Sequence, residues 1–237
     1  GAGYTTLVTP QSSAPIAQMH LCSIPVISTP ESDGAFIGSS FDAAFAMISH
    51  LDALIIGPGL TITQGTQDLI IRLLQTANEP LLIDADGLNA LSLAPSGIDA
   101  LRACTTNGVP VILTPHAGEL ERLAWAAGTL VDAESLAKAT GAIVVAKGAS
   151  TIITDGVTTI TSEYGTAALA KAGTGDVLSG IIGSLLAQGI APLPAAELGV
   201  YIHSQAGCRV QQELGLRSVM AEDLLEQIAA IIKELEG

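Results

Sequence analysis

The segment Leu169-Ala-Lys-Ala-Gly-Thr-Gly-Asp176-Val-Leu-Ser-Gly180 places two bare glycines, Gly173 and Gly175, directly ahead of an apolar run of helical length. A helix that opens in this way turns unpaired N–H groups and the positive end of its dipole toward whatever lies in front of it. Gly173, Thr174 and Gly175 therefore form a candidate cradle for a phosphate. Asp176 stands inside that cradle, where its charge would repel a phosphate. Its presence makes chemical sense if it takes a proton from a hydroxyl that is about to be phosphorylated. The same residues also read as an ordinary glycine-rich loop whose acidic first turn caps a helix well.

Four further segments put reactive side chains where apolar runs end. The run ending at Ile56 leads into Gly57-Pro58-Gly59, a turn without side-chain bulk that a flat ligand could approach. Ile83 leads into Asp84-Ala85-Asp86-Gly87, and carboxylates two apart face the same way if the strand continues that far. Such a pair could hold Mg²⁺ through water or orient a hydroxyl; alternatively, Asp86 caps the following helix. Leu113 leads into Thr114-Pro115-His116-Ala117-Gly118-Glu119, where His116 and Glu119 become neighbours if a helix begins there. Val145-Ala146 leads into Lys147, Gly148, Ala149, Ser150 and Thr151, a cation and two hydroxyls on a glycine-containing turn.

These residues need a scaffold that brings strand ends together. Candidate strands at 5–9, 25–27, 53–56, 81–83, 111–113 and 142–146 are mostly Val, Ile and Leu without polar alternation, as in strands covered on both faces. Helical segments at 41–49, 64–77 and 117–126 lie between them, which predicts βαβ units and a parallel sheet. The runs 151–154 and 158–161 flank Asp155-Gly156 and read as a β-hairpin. Three helices at 174–188, 195–213 and 221–235 follow. In such α/β sheets, ligands bind at the carboxyl ends of the strands, where all the segments above would lie.

Composition narrows the function. The 237 residues predict one domain with a sizeable core, and a mean hydropathy of +0.51 with only 14% charged residues fits a sheet buried on both sides. The longest uncharged run, 177–196, is interrupted by Gly180, Gly183, Gly189, Pro192 and Pro194, so it reads as a buried helix and loop rather than a membrane span. A net charge of −14 argues against nucleic-acid binding and requires any nucleotide to be held by local N–H groups and a few cations. Cys22, Cys104 and Cys208 are odd in number and lack metal-ligand spacing, as expected of free thiols in a reducing, cytoplasmic setting.

Taken in order, GPG at 57–59, DADGLNAL at 84–91, TPHAGE at 114–119, KGAST at 147–151 and LAKAGTGDVLSGIIGSLLAQG at 169–189 resemble the ADP/ATP-dependent NAD(P)H-hydrate dehydratases. Ala206-Gly207 after His203, and Ser218 to Asp223, also fit. The resemblance implies a ribokinase-like three-layer α/β/α sandwich with a mostly parallel sheet, as a single domain over residues 1–237. It implies repair of NADH or NADPH hydrated on the nicotinamide ring, with an adenine nucleotide (ADP or ATP) phosphorylating the ring hydroxyl and phosphate then leaving. It further implies Asp176 as the base, Gly59, His116 and Asp176 against the hydrated dinucleotide, and Lys147 to Thr151 with Gly173 to Gly175 around the nucleotide. Glu119 falls where related kinases organise Mg²⁺ through water. A homo-oligomer, plausible as a tetramer, and a functional link to an NAD(P)H-hydrate epimerase also follow from the resemblance. One departure from the resemblance is expected: family members usually carry a βα unit before the segment that here begins at Gly1, and if nothing replaces it an exposed apolar sheet edge follows. A small-molecule kinase of the same fold, such as a hydroxyethylthiazole or sugar kinase, and a non-catalytic dinucleotide-binding protein are the competing readings.

Overall fold

The computed structural model describes residues 1–47 and 50–237. Runs without polar alternation become short strands, and the amphipathic stretches between them become helices. The chain opens with β1 (Leu7–Pro10), α1 (Ala14–His20), β2 (Val26–Thr29), β3 (Glu31–Ser32), β4 (Ala35–Phe36) and α2 (Gly38–Met47). It continues through β5 (Leu54–Ile56), α3 (Gln64–Thr76), β6 (Leu81–Ile83), α4 (Asp86–Leu93) and α5 (Gly97–Thr106). Then come β7 (Val111–Leu113), α6 (Ala117–Ala127), α7 (Ala133–Thr140) and β8 (Ile143–Ala146). The hairpin β9 (Thr151–Thr154) and β10 (Thr159–Ser162) precedes α8 (Thr174–Ala187), α9 (Pro192–Leu214) and α10 (Leu224–Glu236).

Six strands form the central sheet in the order β10-β9-β8-β7-β6-β5. Strands β5 to β8 run parallel, with Leu54 beside Leu81 and Leu81 beside Val111, while β9 and β10 are antiparallel. Alternation along each strand divides the core in two. Leu81, Ile83, Val111, Leu113 and Val144 pack with residues of α3, α4, α5, α6 and α7. Leu82, Ile112, Val145 and Ile153 pack against α8, α9 and α10. The result is a three-layer α/β/α sandwich. Each fully buried Leu or Ile in it contributes about 1.5–3 kcal/mol, and burial on both faces accounts for the hydropathy of the chain.

Several elements differ from the sequence-based expectation. The strands expected at 5–9 and 25–27 do pair in parallel, Leu7 beside Val26, but as a separate two-stranded sheet. β5 is consequently the outermost strand of the central sheet, and Ile55 is 41% exposed whereas β6 and β7 are wholly buried. Helix α2 starts at Gly38, ahead of the expected 41, and the end expected at 48–49 lies outside the described residues. Helices α1, α5 and α7 went unpredicted, because each is ten residues or shorter and gives little periodic signal, whereas α4 is the helix expected after Asp86. Helix α9 begins three residues before the expected 195, since Pro192 and Pro194 suit a first turn, where the missing N–H has no intrahelical partner to lose.

Candidate functional site

The parallel strands end on one side of the sheet, and the chemistry-bearing turns gather there. Beyond Ile83 the chain reverses at once. Ala85 adopts φ 48° and ψ −123°, and the Gly87 N–H closes the turn on the Asp84 carbonyl at 2.9 Å. A positive φ is costly for a residue with a Cβ, and such strain tends to persist where surrounding contacts over-determine it. Here the neighbouring turn is one constraint: a Cβ on Gly57, itself at φ 129°, would sit 1.7 Å from the Asp84 carbonyl oxygen. The reversal separates the two carboxylates. Asp84 turns inward and is 1% exposed, while Asp86 opens α4 and accepts the Thr61 N–H at 3.0 Å. They form neither a same-face pair nor a side-chain cap.

Asp84 is fully engaged. Its Oδ1 accepts from the Ala85 N–H at 2.8 Å and from Lys147 Nζ at 2.7 Å, and its Oδ2 accepts from the Ser179 hydroxyl at 2.7 Å. Lys147 is placed by its backbone: its N–H donates to the Pro115 carbonyl at 2.8 Å, and a parallel bridge joins it to His116. The β7 and β8 ends are thereby fixed side by side. Beyond Lys147, Gly148, Ala149 and Ser150 form an exposed turn and Thr151 begins β9.

Helix α8 faces these strand ends. Gly173 precedes it at φ 85°, and among the described residues the N–H groups of Gly175 and Asp176 have no protein acceptor. The hydroxyl of Thr174 is engaged, donating to the carbonyls of Leu169 at 2.6 Å and Lys171 at 2.9 Å. Its side chain therefore shapes the loop. Below it, buried His203 donates from Nε2 to the Thr174 carbonyl at 2.8 Å, and burial pushes its pKa down to about 4, so the ring is neutral. Asp176 is exposed, and its proton affinity is raised, first by partial desolvation and then by the charge of Asp84, with Lys147 acting in the opposite sense. Lys147 Nζ lies 3.4 Å from the position that a Cβ on Gly175 would occupy, so cation, open amides and carboxylate share one small space.

His116 and Glu119 meet as a capping box. His116 Nδ1 accepts from the N–H groups of Gly118 at 3.0 Å and Glu119 at 3.3 Å, while Glu119 Oε2 accepts the His116 N–H at 2.8 Å. The other carboxylate oxygen faces His116 Nε2 at 3.3 Å. Glu119 is thus buried with both oxygens engaged by His116, whose ring remains 57% exposed. No group of three or more His, Cys, Asp or Glu side chains converges on a metal position among the described residues. The side chains present do not fit a resident Mg²⁺. Gly59, at φ 68° on the exposed turn after β5, has open space where a Cβ would project.

The structure therefore gathers Asp84, His116, Lys147, Gly175 and Asp176, with the 148–151 turn continuing from Lys147. Sequence reasoning missed Ser179 and the role of His203. Ser179 lies three residues past Asp176, one helical turn on, and that spacing was the available signal. A buried aspartate also needs a cation, and the chain has only four lysines from which to supply one.

Comparison with known proteins accords with this geometry. A family described as NAD(P)H-hydrate dehydratase matches residues 1–230. A bifunctional NAD(P)H-hydrate repair enzyme of Moorella thermoacetica is 36% identical across the whole chain, which spans 45% of that relative's length. An ADP-dependent (S)-NAD(P)H-hydrate dehydratase of Xanthomonas campestris is 30% identical over 99% of the chain and 80% of its own length. Among solved structures, YxkO of Bacillus subtilis, described as a putative kinase, superposes with a TM-score of 0.76 at 25% identity, covering 99% of this chain and 82% of that one. With nearly its full length matched and an open helix start facing the ends of the parallel strands, this chain belongs to the NAD(P)H-hydrate dehydratase family, on a ribokinase-like fold.

Proposed function

We propose that this domain converts the S epimer of NADH or NADPH hydrate back to the reduced dinucleotide, using ADP and releasing AMP and phosphate. The observation that carries the reading is the meeting of the open α8 start with Asp176 and Lys147 in one exposed space. Hydroxide leaves a ring carbon poorly and phosphate leaves well, so the hydroxyl is first phosphorylated. Asp176 accepts the hydroxyl proton as the oxygen attacks the terminal phosphorus of ADP, and the bond from that phosphorus to the bridging oxygen breaks to release AMP. The N–H groups of Gly175 and Asp176 and the Lys147 ammonium face the charge on the transferred group. The ring nitrogen lone pair then expels phosphate, and loss of a proton from the neighbouring carbon restores the double bond.

Gly59 and the exposed ring of His116 offer a surface for the hydrated nicotinamide. The 148–151 turn, with Gly148, Ala149, Ser150 and Thr151, is placed to hold the nucleotide beside Gly173, Thr174 and Gly175. Glu119 supports this site by capping α6 through His116. A divalent ion would have to arrive on the nucleotide phosphates with water completing its shell, and no step is assigned to it. We take the domain to self-associate as a homo-oligomer, for which a tetramer is our choice. A relative of about twice the length that is named bifunctional supports a partner activity, which we take to be epimerisation of the hydrate. Three free cysteines suit a reducing cytoplasm, and among the described residues no helix is long and apolar enough to cross a membrane.

Incubation with ADP and hydrated NADH, followed by the return of reduced-nicotinamide absorbance, tests the reading. Asp176→Asn is expected to lower turnover by roughly 10²- to 10⁴-fold while AMP binding persists. Phosphorylation of a thiazole alcohol with no recovery of NADH would replace this reading with the small-molecule kinase.

A further inference from the structure

We propose that Asp84 is a positioning residue, which from the buried end of β6 holds the Lys147 ammonium at the open start of α8, in place for the phosphoryl group. The inference rests on the nucleotide-dependent reading above and assigns a role to a residue outside the cradle itself. A carboxylate that is 1% exposed costs several kcal/mol unless it is paired and hydrogen-bonded. This one has donors from three elements: the Ala85 N–H after β6, Lys147 at the end of β8, and Ser179 on α8. Those are the elements whose relative placement defines the cradle.

The backbone is arranged around the same carboxylate. Ala85 takes a positive φ so that the chain turns immediately after Asp84, and Gly57 leaves room for the Asp84 carbonyl where any side chain would collide. A buried ion pair is weak evidence for stability, because well-packed apolar residues serve at least as well. A strained turn, a side-chain-free glycine and a buried carboxylate together are better explained by what they hold. Lys147 is only 23% exposed, and its Nζ lies beside bare Gly175, where a Cβ would come within 3.4 Å. An ammonium has three donors, and Asp84 takes one. The arrangement leaves the cation able to reach a phosphate without crossing the pocket.

The pair also acts on Asp176 in opposite senses: the Asp84 charge raises its proton affinity and Lys147 lowers it. The other ionisable groups close by are His116, whose backbone bridges to Lys147 and whose exposed ring is held against Glu119, neutral His203 beneath Thr174, and Lys171, whose ammonium lies against the Arg217 carbonyl. Removing either partner therefore moves the titration of Asp176, and the two removals move it in opposite directions.

The test uses Asp84→Asn and Lys147→Gln in the full chain. Carboxyl carbon NMR follows Asp176 through a pH titration without ligands, turnover is measured against pH with ADP and hydrated NADH, and AMP affinity is measured by calorimetry. For Asp84→Asn we expect the Asp176 midpoint and the acidic limb of kcat to fall by about half a pH unit or more. We also expect kcat to drop about tenfold from misplacement of Lys147, with AMP affinity changed less than the rate. Lys147→Gln should move the same midpoint upward and lose AMP affinity about tenfold or more. A merely structural Asp84 contact would lower the melting temperature while leaving kcat and AMP affinity of the folded Asp84→Asn variant in place. Midpoints that stay put, or that shift in the same direction in both variants, overturn the proposal. If Asp84→Asn fails to fold, the upward shift in Lys147→Gln decides alone. The ligand-free titration holds even without turnover, so an inactive wild-type protein sinks the dehydratase reading while an unmoved Asp176 sinks this one.

Discussion

A single imidazole under the start of α8 couples the integrity of the candidate site to acidity. His203 takes up a proton near pH 4 in the folded protein, against 6.5 for an ordinary histidine. Between those values the unfolded chain binds more protons, so stability is full above the upper value and declines as the pH falls through the window. By pH 5 the loss amounts to about 2 kcal/mol. Urea unfolding at pH 7 and pH 5 measures it, and His203→Gln, which keeps a donor for the Thr174 carbonyl, should remove most of the difference. An equal pH dependence in the variant would place the acid sensitivity elsewhere. At this scale Asp176 was legible, because glycines ahead of an apolar run imply a helix start and an acid there is conspicuous. His203 and Ser179 were not, since each acts on a group 29 or 95 residues away, a distance that local patterning does not register.

Two glycines on one turn show how the elements are fitted together. A Cβ at Gly57 would strike the Asp84 carbonyl backbone, whereas a Cβ at Gly59 would meet nothing within 4 Å. Gly57→Ala is expected to cost roughly 3 kcal/mol or more and to displace the Asp84 turn. Gly59→Ala should cost only about 1 kcal/mol, for its left-handed φ. Denaturant titration of both variants checks the contrast; equal costs would mean that the turn yields. Sequence showed that a strand ends at Ile83 but left two readings of Asp84 and Asp86 open, a same-face pair if the strand continued or a helix cap at Asp86. The positive φ at Ala85 excludes the first, and nothing about an alanine announces it. The hairpin was found within one residue, since Asp-Gly determines its own turn, whereas the short helices packed against the sheet left too few turns to reveal a period.

At the scale of the whole molecule, a net charge of −14 surrounds a site that, on the proposed reading, admits a nucleoside diphosphate. Attraction comes from the amides of α8 and the few cations beside them, Lys147 and Lys171, while the net field repels at long range. Salt screens the field more than the contact, so the association rate of ADP should rise a few-fold between about 10 mM and 150 mM salt. Stopped-flow binding checks the sign, and a rate that falls with salt would mean that a positive field reaches into solution. The layered architecture was legible because strands covered on both faces have a sequence pattern of their own. The detachment of β1 and β2 was not, because strand neighbours are chosen across the fold.

The sheet's two borders differ in chemistry. One is finished by β10, whose outward Thr159 and Thr161 are comfortable in water, and the other by Leu54-Ile55-Ile56. Edge backbone beside aliphatic side chains is a template for another extended segment, and among the described residues β5 itself carries no lysine or proline that would deter one. Crowded copies of this protein should therefore stick with a polarity, joining through the aliphatic border while the threonine border stays inert.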